Sequence, residues 1–183
     1  NVFFAYLEAG AHLVGTDSVY GPSRVVVEKH FARFGVESTF VDTSNPDNIV
    51  AVIRPETTML YIETPENPTI RLTDIAACAA IAREHGFLLV VDNTFATPLL
   101  QHPLELGADI VVHSMTKFIG GASDHIAGAI CADKSFILEL MDLHLGALML
   151  LGPTMDPQVA SNLNLRIPHL PLRMTEHGER AML

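Results

Sequence analysis

Short β-branched apolar runs alternate along this chain with stretches whose apolar positions recur at helical spacing. The runs His12 to Thr16, Glu37 to Val41 and Met59 to Glu63 read as strands; Ser23 to Phe34, Pro46 to Ile53 and Thr73 to His85 read as the helices that follow them. Further strands are predicted at Phe87 to Val91, Asp109 to His113 and Ile126 to Cys131. Helices are predicted at Lys134 to His144 and Val159 to Ile167, with a break at Pro168. Strands alternating with helices imply βαβ crossovers, hence an α/β fold in three layers around a mostly parallel sheet. The helix after Leu72 has Thr73 placed as an N-cap and Gly86 just past its last periodic residue. Its Ala76, Ala77, Ala79, Ala80 and Ala82 suit close packing on a sheet.

Two of the apolar runs end in reactive side chains. Leu88-Leu89-Val90-Val91 delivers Asp92, followed by Asn93-Thr94, and Ile110-Val111-Val112 leads through His113-Ser114-Met115-Thr116 to Lys117. Ligands of open α/β sheets bind at the C-terminal edge of the strands, so both groups are offered to one crevice. A carboxylate and an amine there suit pyridoxal phosphate. The amine can condense with its aldehyde, and the acid keeps its ring nitrogen protonated so that the ring accepts electrons. The hydroxyls of Ser114 and Thr116 are placed to hold its phosphate. Lys117, flanked by hydroxyls and followed by Gly120-Gly121, is expected in a crowded environment that favours loss of its proton. Taken singly, each has a plainer reading: Lys117 as a surface lysine, Asp92 as a turn aspartate, Ser114 and Thr116 as turn hydroxyls.

Asp92-Asn93-Thr94, Ser114-Met115-Thr116-Lys117, Tyr20-Gly21-Pro22 and Glu63-Thr64-Pro65-Glu66-Asn67-Pro68-Thr69 occur in the order seen in the Cys/Met-metabolism, or trans-sulfuration, family. The chain resembles that family through nearly its whole length. Members include cystathionine γ-synthase, cystathionine lyases, methionine γ-lyase and O-acylhomoserine sulfhydrylases. The resemblance implies the large domain of a fold type I (aspartate aminotransferase-like) enzyme, with pyridoxal 5'-phosphate on Lys117 and Asp92 against its ring nitrogen. It puts the ring of Tyr20 flat on the cofactor, its phenol exchanging protons with substrate or lysine, and Asn67 against the cofactor's phenolic oxygen or the substrate carboxylate. A structural tyrosine and a turn asparagine are the plainer readings of these two. The implied chemistry is β- or γ-elimination, or γ-replacement, on cystathionine, methionine or O-acylhomoserine, in a cytoplasmic homo-oligomer built as a dimer of dimers. Many members have a second glycine where this chain has Pro22, and residues 165–174 depart from the commoner family wording.

Family members that the chain resembles are considerably longer, so residues 1–150 are expected to be the central part of the cofactor domain and 151–183 the connection towards a further domain. In such members an arginine beyond this region helps bind the substrate carboxylate, and the preceding segment and a neighbouring subunit help bind the phosphate. The 183-residue stretch alone is therefore expected to be inactive and to bind the cofactor weakly.

Composition narrows the alternatives. Eleven basic against twenty-one acidic residues give a net charge of −10, without the positive surface that nucleic-acid phosphates require. Apolar residues make up 49% of the chain but lie in runs far short of the about 18 residues of a membrane span. Two cysteines, Cys78 and Cys131, are too few for a disulfide framework or a zinc site. Ser114-Met115-Thr116-Lys117 also fits the S-x-x-K pattern of serine acyl-transfer enzymes, but that chemistry needs both residues on one helical turn and supporting motifs that are absent. His113, His125, Asp124 and Asp109 lack the helical spacing of a metal pair, and no metal is expected. A truncated relative acting only as an assembly partner is the non-enzymatic alternative, against which Lys117 and Asp92 stand.

Overall fold

A computed structural model describes residues 1–183. Six strands form one sheet in the order β2-β1-β3-β4-β5-β6: β1 (His12–Thr16), β2 (Glu37–Val41), β3 (Thr57–Glu63), β4 (Leu88–Asp92), β5 (Ile110–Ser114) and β6 (Gly128–Ala132). The first five are mutually parallel, as the alternation predicts. β6 runs antiparallel to β5, with Ser114 opposite Gly128, because no crossover helix separates the two. Between β1 and β2 the chain steps one way along the sheet, and β3 lies on the other side of β1. That reversal opens a crevice at the C-terminal edge.

The helices are α1 (Val2–Tyr6), α2 (Gly21–Val25), α3 (Pro46–Val50), α4 (Ile75–His85), α5 (Thr97–Leu100), α6 (Lys134–Leu140), α7 (Ala147–Leu151), α8 (Pro157–Arg166) and α9 (Leu170–Ala181). α2 continues through a π-helical turn at Val26–His30 and a 3-10 turn at Phe31–Phe34, so the stretch read as one helix changes pitch along its length. None of the helices is long and apolar enough to cross a membrane.

Strand geometry sends successive side chains to opposite faces, which splits each apolar run between two cores. Val14, Leu60, Ile62, Leu89, Val91 and Val111 pack with α4 on one face. Leu13, Met59, Tyr61, Val90 and Ile110 pack with Val2, Val27 and Phe31 on the other. The sheet is thus covered on both sides, in three layers.

α4 corrects two details of the sequence reading. Its N-cap is Asp74, whose carboxylate accepts the Ala77 N–H at 3.0 Å, while the Thr73 hydroxyl bonds Thr43 Oγ1 at 2.7 Å. The buried face is Ile75, Cys78, Ala79 and Ala82 at i, i+3, i+4 and i+7, which leaves Ala76 and Ala80 exposed. Gly86 ends the helix at φ 75°, in the left-handed region that favours glycine.

Candidate active site

The C-terminal ends of four adjacent strands converge on one cavity of about 300 Å³, whose lining includes Tyr20, Glu63, Asn67, Asp92, Ser114, Thr116 and Lys117. All six residues that the sequence offers for the cofactor are there. Parallel pairing explains the convergence: β3 and β4 set Glu63 opposite Asp92, and strand alternation puts both on the face of Met59, Tyr61 and Val90. The larger cavity of the molecule, about 550 Å³, is mainly apolar and contains no lysine or carboxylate.

Asp92 is half-buried and held by two residues. Its Oδ1 accepts from the Thr94 N–H at 3.1 Å and the Thr94 hydroxyl at 2.5 Å, and its Oδ2 accepts from the Tyr61 phenol at 3.1 Å. Thr94 Oγ1 in turn accepts the Ser114 N–H at 2.8 Å, tying the end of β4 to the end of β5. Burial, followed by the negative charge of Asp92, raises the Tyr61 phenol well above its ordinary value, so Tyr61 stays a donor.

Lys117 sits in a turn whose Lys117 N–H reaches Ser114 O at 3.2 Å. It is exposed at the cavity mouth, contrary to the crowded surroundings expected, because the turn after β5 carries it outward past the sheet edge. A second cavity of about 350 Å³ shares Asn67, Phe95 and Lys117 with the first and adds Phe118, Ser123 and His177. The turn is held from behind: Arg173 donates to Phe118 O and to Ile119 O, and Arg166 forms a two-pronged ion pair with Asp124 at 2.6 and 2.8 Å. These contacts give the departing 165–174 segment a visible role, that of bracing the lysine turn.

Tyr20 is 44% exposed, so it is not a buried structural tyrosine. Its N–H donates to Glu63 Oε2 at 2.6 Å. Thr116 Oγ1 accepts the Ala127 N–H at 3.1 Å and donates to Ala127 O at 3.4 Å, so it anchors the approach to β6 while lining the cavity. Ser114 ends a strand rather than sharing a helical turn with Lys117, which removes the geometry of an S-x-x-K acyl-transfer site. Asp109 accepts the Leu89 N–H at 2.7 Å and His125 bonds Asn162 at 3.0 Å; both are structural.

Glu63 is a further residue of the site, which its motif alone does not mark. It is 4% exposed and lines the cavity, and burial lifts its carboxyl to about 7 against the lowering effect of the Tyr20 N–H, with Asp92 and Glu66 adding to the rise. The criterion that picked out Asp92, an acid closing a buried apolar run, applies equally to Glu63.

An amine, a carboxylate held by neutral donors, two hydroxyls and an aromatic ring around one cavity fit pyridoxal phosphate in size and chemistry. Residues 1–183 match the family model described as Cys/Met metabolism PLP-dependent enzyme. The chain is 42% identical to methionine gamma-lyase of Arabidopsis thaliana over 185 residues, covering 100% of this chain and 42% of that protein. It is 49% identical to cystathionine gamma-lyase of Bacillus subtilis over 146 residues, covering 79% of this chain and 38% of that one. Among solved structures, cystathionine gamma-lyase from Lactobacillus plantarum complexed with L-serine superposes with a TM-score of 0.86 at 37% identity, over 93% of this chain and 44% of that one. The chain spans less than half the length of these relatives.

Proposed function

The chain belongs to the Cys/Met-metabolism family of PLP-dependent enzymes, and from that premise we propose that it carries the cofactor centre of an enzyme acting on sulfur-bearing or acyl-activated amino acids. The reaction is β- or γ-elimination, or γ-replacement, with cystathionine, methionine or an O-acylhomoserine as the substrate class. The single observation that supports this most is the placement of Lys117 and Asp92 in one cavity at the sheet edge.

Lys117 would hold pyridoxal phosphate through its amine, Asp92 would face the ring nitrogen, Ser114 and Thr116 the phosphate, Tyr20 the ring face, and Asn67 the phenolic oxygen or the substrate carboxylate. When bound, the cofactor supplies an electron sink for negative charge at the substrate Cα. The amine of Lys117 would serve as the base that holds the proton leaving the substrate Cα. The Tyr20 phenol, at the cavity and partly open to solvent, assists that transfer. Thr94 and Tyr61 keep the Asp92 carboxylate oriented, so it does not have to reorganise during the reaction.

We read residues 1–150 as the central part of the cofactor domain and 151–183 as its connection onward, in a cytoplasmic homo-oligomer. Because Lys117 lies exposed at an open mouth, the isolated 183-residue stretch is expected to bind the cofactor weakly and to show no turnover. The test of the reading is borohydride reduction of the full-length protein with pyridoxal phosphate, followed by peptide mass spectrometry. Label on Lys117 supports it; folded protein without label there overturns it.

A further inference from the structure

We propose that Glu63 is a positioning residue that sets the place of the Tyr20 ring at the Lys117 cavity, by accepting the Tyr20 N–H on a buried carboxyl rooted in β3. The inference rests on the reading above, in which Tyr20 meets cofactor and substrate.

Tyr20 precedes α2 as its N-cap, and its side chain makes no capping bond. Hydrogen bonds tie the loop before it, with the Val19 N–H on Thr16 O at 3.2 Å and the Arg24 guanidinium on Asp17 O at 2.8 Å, and Tyr20 O accepts the Ser23 N–H at 2.9 Å, which leaves the Tyr20 N–H for an acceptor outside the loop. At one end the Asp17 N–H reaches Val41 O at 2.8 Å and the Asp17 carboxylate pairs with Arg71. At the other end the Tyr20 N–H meets Glu63 at 2.6 Å, the short distance of a strong hydrogen bond. Glu63 itself has little freedom. Its backbone is paired opposite Asp92, its own N–H points to Thr16 Oγ1 at 3.4 Å, and its side chain is buried. A rigid strand thus fixes the amide side of an exposed aromatic residue, while its carbonyl accepts from the first turn of α2. Neighbouring Glu66 is engaged elsewhere, with Thr69 and Arg71, and Asp92 with Thr94 and Tyr61, so neither substitutes for it.

Three variants of the full-length protein separate acceptor position from charge. Glu63→Gln keeps an acceptor oxygen at the same reach without the charge, Glu63→Asp keeps the charge but withdraws the acceptor by one methylene, and Glu63→Ala removes both. Hydrogen exchange of the peptide containing Tyr20, measured by mass spectrometry on cofactor-free protein, should accelerate about ten-fold at the Tyr20 amide in Glu63→Asp and Glu63→Ala, the worth of one hydrogen bond. It should stay near wild type in Glu63→Gln. The kcat/KM of the loaded enzyme should fall in the same two variants by up to about 100-fold, the cost of roughly an ångström of misplacement, and be rescued by glutamine. Glu63→Asp matching wild type, or Tyr20 exchange unchanged in Glu63→Ala, overturns the proposal. Borohydride labelling of Lys117 in each variant keeps the outcomes apart: loss of label from wild type sinks the underlying reading, whereas intact label with unchanged Tyr20 exchange sinks only the role of Glu63.

Discussion

The phenol of Tyr61 donates to Asp92 Oδ2 at 3.1 Å, from a side chain buried in the sheet core to a carboxylate at the cavity. One strand thus orients the acid that the next strand presents. The two residues lie diagonally across β3 and β4, whose register pairs Tyr61 with Val90 and Glu63 with Asp92. Phenylalanine at 61 would keep the ring packing and remove only the donor. Tyr61→Phe should cost about 1.5 to 3 kcal/mol of stability, the range for a hydrogen bond to a charged acceptor, and weaken pyridoxal phosphate binding. Urea unfolding and cofactor titration check both; an unchanged affinity would show that Thr94 alone suffices to orient Asp92.

Lys117 is exposed and forms no ion pair within the chain, so its replacement should leave the fold intact. In Lys117→Ala the melting behaviour is expected to match wild type, a change within about 0.5 kcal/mol. The borohydride label and turnover should both be lost. Retained turnover in this variant would remove the lysine from the chemistry.

Glu63 gives stability a pH dependence of defined sign. Its folded-state value of about 7 lies above the 4.5 of a free glutamate. Between those values the folded protein holds more protons than the unfolded one, so stability falls as pH rises through that window. Asp124, held at about 2 by Arg166, titrates below it. Urea midpoints of wild type and Glu63→Gln should therefore diverge between about pH 4.5 and 7, the wild type losing ground towards neutrality. Parallel curves would show that the buried carboxyl is not raised.

Gly121 braces the lysine turn from a backbone position closed to other residues. Its φ is 79°, and a Cβ there would run into the Arg173 guanidinium that holds Phe118 O and Ile119 O. Gly121→Ala should lose about 1 to 2 kcal/mol from the left-handed conformation alone, with the collision added. Thermal unfolding measures the loss. Gly10, also at positive φ but with open space around it, is the control that carries the backbone cost without the collision.

The sequence by itself determined what depends on neighbours along the chain. β1 and β2 begin and end where their apolar runs do, Gly86 closes α4, and Lys117, Asp92, Tyr20, Asn67, Ser114 and Thr116 meet because each lines a crevice built from parallel strand ends. Period and punctuation are local, so they can be read residue by residue. What tertiary structure decided depends on residues far apart in the chain. Thr73 yields the helix cap to Asp74 because its hydroxyl is drawn to Thr43, and Ala76 and Ala80 face solvent because α4 is rotated to bury Ile75 and Cys78. β6 turns antiparallel for lack of a crossover, and the turn that carries the exposed Lys117 is braced from α9. Glu63 acquires its part only when β3 brings it under the Tyr20 N–H, a contact across 43 residues of sequence that no local pattern encodes.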